Sequence, residues 1–160
     1  MLTRKLSKIP GTQVRKPDRR QNKMSIRFYS NGINFRLPSP SRFKKIILSV
    51  FKKEKKTPGE INFIFCSDAY LYKLNKKFLK HDYYTDVLTF PDTEEKNISG
   101  EIFVSIPRVK SNSKKYNQSY LFEIQRVMIH GVLHLCGYLD KSTVGKKRMR
   151  KLEDRYITSL

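Results

Sequence analysis

The sequence predicts an α+β domain, layered in the α/β manner, in which a sheet of about four strands is packed by helices. Three observations predict it. Short β-branched or aromatic runs, one alternating apolar and polar in its first half, interleave with longer runs of helical spacing. The 160 residues suit one hydrophobic core rather than two. Neither an internal repeat nor a run of about 18 apolar residues is present, so no membrane-crossing helix is expected.

The elements follow in order. Residues 25–29 read as a first strand, and 41–53 carry Phe43, Ile46, Ile47, Val50 and Phe51 at helical spacing. Residues 60–66 (EINFIFC) are strand-like. Ser67 is placed to cap a helix over 68–79, with Leu71, Leu74 and Phe78 on one face. Residues 86–90 (DVLTF) form a strand stopped by Pro91, 93–99 a polar loop, and 100–106 (GEIFVSI) a further strand. Pro107 opens a short helix, a longer helix spans about 119–136, and a very basic one closes the chain over about 143–157.

Charge divides the chain and limits its partners. Residues 1–23 hold eight Lys/Arg and one Asp, which reads as a basic, disordered extension ahead of a domain over 24–160. A second reading starts translation at Met24. The whole chain carries 34 Lys+Arg against 14 Asp+Glu, a formal net charge of +20. Such a surface favours polyanions, nucleic acid first, because Lys and Arg release counterions condensed on phosphates. Cys66 and Cys136 show neither a disulfide framework nor a Cys-x-x-Cys site. Together with the lack of an apolar secretory signal, they point to the cytoplasm.

The most informative run is His130 to Asp140 (HGVLHLCGYLD). Four residues of helix turn through about 400°, so His130 and His134 leave one face, as two nitrogen ligands from one helix to Zn²⁺ must. Gly137 can end that helix, and Asp140 just beyond can fold back as a third ligand. Three protein ligands with an open fourth position describe a catalytic zinc, one per chain, rather than a closed structural one. The spacing also fits the extended zinc-peptidase pattern H-E-x-x-H-x-x-G-x-x-H at both histidines and the glycine. Gly131, however, stands where that pattern has its general-base Glu, which argues against a peptidase. No motif for a small organic cofactor is present.

Three stretches together carry a resemblance: LNKKFLKHDYYTDVLTF (74–90), GEIFVS (100–105) and HGVLHLCGY (130–138). In these, and in their order and spacing, residues 24–157 resemble the YbeY family of bacterial ribosomal-RNA maturation factors. The resemblance implies a single-strand-specific, zinc-dependent endoribonuclease acting in 3′-end maturation of small-subunit (16S) rRNA and in ribosome quality control, with the small ribosomal subunit as partner. The chain departs from the family pattern at two positions. Asp140 occupies the place of a third histidine, and Leu79 stands where the family commonly has Arg. Lys80 and His81 follow directly and could stand in for that Arg.

The expected site is therefore His130, His134 and Asp140 around the metal, with Asp86 positioning a ligand or water and His81 available for proton transfer. Lys80, Lys146, Lys147, Arg148, Arg150 and Lys151 would follow the RNA backbone, and Tyr83, Tyr84 and Tyr138 could stack on bases. The alternative function is a non-catalytic ribosome-assembly or RNA-binding factor with a structural metal.

Overall fold

The computed structural model describes residues 24–92 and 97–158, so the reading of 1–23 as a separate extension lies outside the described residues. The elements run β1 (Ser25–Asn31), α1 (Pro40–Lys53), β2 (Pro58–Cys66), α2 (Asp68–Leu74), a π-helical turn (Asn75–Leu79), β3 (Val87–Asp92), β4 (Ile98–Ser105), α3 (Ile106–Lys115), α4 (Tyr120–Leu135) and α5 (Thr143–Thr158). This is the expected α+β layering on one four-stranded sheet, in the order β1-β2-β4-β3. β1, β2 and β4 are parallel, and β3 joins antiparallel on the edge of β4.

Side chains alternate across a strand, so each strand feeds both faces of the sheet. Ile61, Phe63 and Phe65 of β2 join Ile102 and Val104 of β4 in the larger core, beneath Ile46, Ile47 and Val50 of α1 and Ile124, Val127 and Met128 of α4. On the other face Ile64, Cys66, Leu88, Phe90 and Phe103 pack against Leu71 and Leu74 of α2. Three serines expected or able to cap do so: Ser67, Ser105 and Ser119 accept the backbone N–H of Tyr70, Arg108 and Phe122.

Two elements differ from the sequence reading. Pro91 does not stop β3, which continues to Asp92 with Pro91 opposite Gly100. An edge strand tolerates a proline whose absent N–H would have faced away from its only neighbour. The helix expected over 68–79 is α-helical only to Leu74 and then widens. Buried Asn75 causes the change: its side-chain amide donates to the Tyr83 carbonyl at 2.9 Å, and its own carbonyl accepts the His81 N–H at 3.3 Å. Both bonds pull the chain after Lys80 back under the helix end. Lys80 makes that reversal in a left-handed conformation, φ 61°.

Candidate metal centre

α4 supplies the two histidines and its C-terminus supplies the turn. Gly137 adopts φ +98°, a region closed to most side chains. Its N–H bonds the His134 carbonyl, and the Tyr138 N–H bonds the Leu133 carbonyl, a paired closure typical of a glycine-ended helix. The reversal carries the Tyr138 carbonyl to 2.8 Å from His134 Nδ1 and brings Asp140 back beside both rings.

The tautomers follow from these partners. A carbonyl oxygen can only accept, so His134 carries its proton on Nδ1 and leaves a lone pair on Nε2. His130 Nδ1 lies 2.6 Å from Glu153 Oε1. Burial raises the Glu153 pKa, but the hydrogen bond with His130 and the Arg126 guanidinium outweigh it and hold the carboxyl below its usual range. His130 therefore also donates from Nδ1. The two Nε2 atoms face each other at 2.9 Å, close enough to share a proton or, with both rings protonated only at Nδ1, to hold a cation together. Burial is the largest influence on His134 and lowers its pKa, which favours the neutral ring able to ligate.

Asp140 joins the two histidines in a group that could hold a metal ion. Its Oδ2 lies 3.5 Å from His130 Nε2 and its Oδ1 3.8 Å from His134 Nε2. Two donors bound at about 2.05 Å to a tetrahedral zinc stand about 3.3 Å apart. The Nε2 pair lies inside that value and the carboxylate, which approaches the two rings with different oxygens, lies outside it, so one Asp140 oxygen would move inward to share a small cation with both rings. Two imidazoles and one carboxylate suit zinc and its transition-metal neighbours better than Ca²⁺ or Mg²⁺, which favour all-oxygen sites. Asp140 is the most exposed of the three, so the centre faces solvent on its side.

Gly131 takes a physical meaning here. A Cβ at this position would lie 2.6 Å from Ile102 Cγ2 on β4, and the Gly131 carbonyl accepts the Thr89 hydroxyl of β3 at 3.3 Å. The position that bears the general base in a zinc peptidase is pressed against the sheet. Any side chain there would have to displace Ile102.

The remaining expected residues are distributed around this centre. Asp86 does not reach a ligand atom. Its Oδ2 accepts from Arg126 Nη2 at 3.1 Å and from Asn112 Nδ2 at 3.2 Å. Lys80 and His81 lie exposed in the reversal after the π turn. The His81 ring stacks on Tyr83, with centroids 5.1 Å apart, and neither residue hydrogen-bonds a ligand. Leu79 packs half-buried against the smaller core. Lys146, Lys147, Arg148, Arg150 and Lys151 are all exposed on α5, which starts just after Asp140. Tyr83 and Tyr84 are exposed, Tyr84 stacking on Tyr72 and beneath Arg108. Tyr138 is occupied differently: its hydroxyl bonds Glu54 and Arg148 covers its ring.

Sequence reasoning missed the buried and half-buried polar residues behind the histidines. Arg126 donates from Nε and Nη2 to both oxygens of Glu123 at 3.0 and 2.8 Å, and from Nη1 to Glu153 Oε2 at 3.3 Å. Glu123 and Glu153 are almost wholly buried. A signal was present in the spacing. Arg126, His130 and His134 recur every four residues on one helix face, and Glu153 sits on the same stripe of α5 as the buried Met149 and Tyr156.

Fold and centre define a class: a one-domain α+β protein in which one helix offers two histidines, and the turn after it a carboxylate, beside a basic helix. Comparison with known proteins narrows it. The family model described as Endoribonuclease YbeY matches residues 30–160. The Endoribonuclease YbeY of Karelsulcia muelleri is 49% identical over 129 residues, covering 81% of this chain and 92% of that protein. That of Flavobacterium johnsoniae is 46% identical over 123 residues, with 77% and 88% covered. The solution structure of TM1509 from Thermotoga maritima superposes with a TM-score of 0.57 at 33% identity, covering 83% of this chain and 87% of that one. The chain belongs to the YbeY family of endoribonucleases.

Proposed function

We propose that this protein is a zinc-dependent endoribonuclease that cuts single-stranded RNA, acting on the small ribosomal subunit in 3′-end maturation of its rRNA and in ribosome quality control, in the cytoplasm. The observation that carries the metal requirement is the pair of Nε2 atoms 2.9 Å apart, with the Asp140 carboxylate beside both rings. His130, His134 and Asp140 would hold the ion, which supplies Lewis acidity towards a phosphodiester oxygen and lowers the pKa of a water.

The chain's own residues supply the rest. Nδ1 of each histidine is pinned, by Glu153 and by the Tyr138 carbonyl, so both rings present Nε2 without rotating. The exposed cations of α5 offer the phosphate backbone a track that leads away from Asp140, and Lys80 adds charge from the reversal ahead of β3. Tyr83, with His81 on its face, presents a stacking surface for an unpaired base, the kind of contact that favours single strands over duplex. His81 is the exposed imidazole available for proton transfer there. Asp140 supplies negative charge where the family pattern has a neutral histidine, so the centre holds its cation more strongly and lends it less Lewis acidity. No helix of the described residues is long and apolar enough to cross a membrane, in keeping with a substrate met in solution.

The test pairs metal content with cleavage. Wild type should hold about one zinc per chain, and His130→Ala and His134→Ala should lose both zinc and cleavage of a single-stranded RNA. Asp140→His should keep zinc and cleave, whereas Asp140→Ala should lose zinc. Binding to the small subunit without cleavage by the zinc-loaded wild type would refute the nuclease reading in favour of an assembly factor.

A further inference from the structure

Asp86, Arg126, Glu153 and His130 form an unbroken chain of contacts across three elements. Asp86, just ahead of β3, accepts from Arg126 Nη2 at 3.1 Å. Arg126 on α4 passes Nη1 to Glu153 Oε2 at 3.3 Å. Glu153 on α5 gives its other oxygen to His130 Nδ1 at 2.6 Å. We propose that this chain is a positioning relay: Arg126 and Glu153 set how tightly His130 binds the metal, and Asp86 acts by anchoring Arg126 rather than by touching RNA.

The geometry argues for more than cross-linking. Glu153 is 3% exposed, so its carboxylate has no water to divide its oxygens among partners. With Arg126 occupying Oε2, Oε1 is left for the imidazole. An imidazole anchored at Nδ1 cannot turn its Nε2 away from the site, and its basicity towards a cation rises. Arg126 is itself held from two sides. Glu123 takes Nε and Nη2 as a fork, and Asp86 takes Nη2 from the sheet side. Three carboxylates converge on one guanidinium, whose several N–H groups serve them together. A lysine offers one point charge and could not. Asn112 holds Asp86 Oδ2 in turn at 3.2 Å, so the anchor has its own support from α3.

Asp86 is itself held in place. Its Oδ2 accepts from the half-buried Arg126 and from Asn112, and its carbonyl accepts the Ser105 N–H at 2.9 Å.

The inference rests on the metal reading of the histidine pair, and the experiment separates the two. Zinc affinity is measured by chelator competition on full-length wild type, Glu153→Gln, Arg126→Met, Arg126→Lys and Asp86→Asn, with circular dichroism verifying each fold. Glu153→Gln and Arg126→Met should each weaken zinc about 10- to 100-fold, although neither residue meets the ion. Arg126→Lys should recover only part of the loss, and Asp86→Asn should weaken zinc less than Arg126→Met. Losses in Glu153→Gln and Arg126→Met should not add, because both act through the same ring. Nitrogen NMR of zinc-loaded wild type gives a reading that needs no variant: His130 should carry its proton on Nδ1. Variants that fold and bind zinc as wild type does overturn the relay alone, as does a His130 Nε2–H tautomer. Unchanged zinc affinity in Asp86→Asn with abolished RNA cleavage overturns the role given to Asp86. Wild type that takes up no zinc overturns the metal reading, and the relay with it.

Discussion

Gly131→Ala places two opposing effects on one atom. In an unconstrained helix interior, replacing glycine by alanine stabilises by about 1 kcal/mol, because glycine loses more backbone freedom on folding. At this position the new Cβ would lie 2.6 Å from Ile102 Cγ2, 3.3 Å from its Cδ1 and 3.4 Å from Thr89 Oγ1. Carbon atoms rest at about 3.5–4.0 Å, so roughly an ångström must be found. Ile102 cannot supply it easily. It is fully buried on β4, which is bonded on one side to β2 and on the other to β3. Overpacking of this kind costs about 1–3 kcal/mol, more than the helix gain. The expected net is a loss of about 1 kcal/mol, or a fall in Tm of a few degrees for a domain of this size. Urea titration monitored by circular dichroism measures it. Adding Gly131→Ala to Ile102→Ala should instead recover stability, since the methyl then fills a cavity, with a coupling of at least about 0.5 kcal/mol. A Gly131→Ala variant more stable than wild type would refute the close approach of α4 to the sheet, and with it the need for a side chain there to displace Ile102.

Neutralising Lys146, Lys147, Arg150 and Lys151 together should weaken single-stranded RNA binding and flatten its salt dependence. The log–log slope should shrink by about 0.7 for each phosphate no longer neutralised, and an unchanged slope would take α5 out of the interface. Burial, with a lesser push from nearby carboxylates, raises the Cys66 and Cys136 thiols to about 12. Both should resist alkylation at pH 8 until the protein unfolds, because the thiolate is the reactive form. A raised thiol pKa stabilises fully below the unfolded value near 9 and is lost as pH rises towards 12, so alkaline titration should lower the urea midpoint over that window. Ser119→Ala removes the cap on Phe122 N–H and should cost about 1 kcal/mol in the same titration.

Local pattern made most of this legible. The histidine pair, the glycine stop and the returning carboxylate are neighbours in sequence, and helix periodicity alone places them together. The strands were legible for a similar reason, since their side chains answer to a period of two. What stayed hidden depends on partners distant in sequence. Glu153 reads as one acid in a basic helix, and only the packing of α5 on α4 reveals that it faces His130. Arg126 reads as a surface cation until three carboxylates from other turns and elements close on it. Pro91 misled because proline's effect depends on whether its strand is central or at an edge, which sheet order decides. The π turn was invisible because a buried asparagine, not a helix breaker, produces it.

Glu54 lies just past the end of α1, yet its two oxygens receive the hydroxyls of Tyr138, from the turn that carries Asp140, and of Tyr156, near the end of α5. One side chain therefore rivets three segments whose ends are far apart along the chain. The Asp140 turn cannot swing open as an independent flap. It has to take the close of α1 and the tail of α5 with it. Native-state hydrogen exchange should find these three segments opening as a single cooperative unit, with protection well above that of the exposed 80–84 reversal.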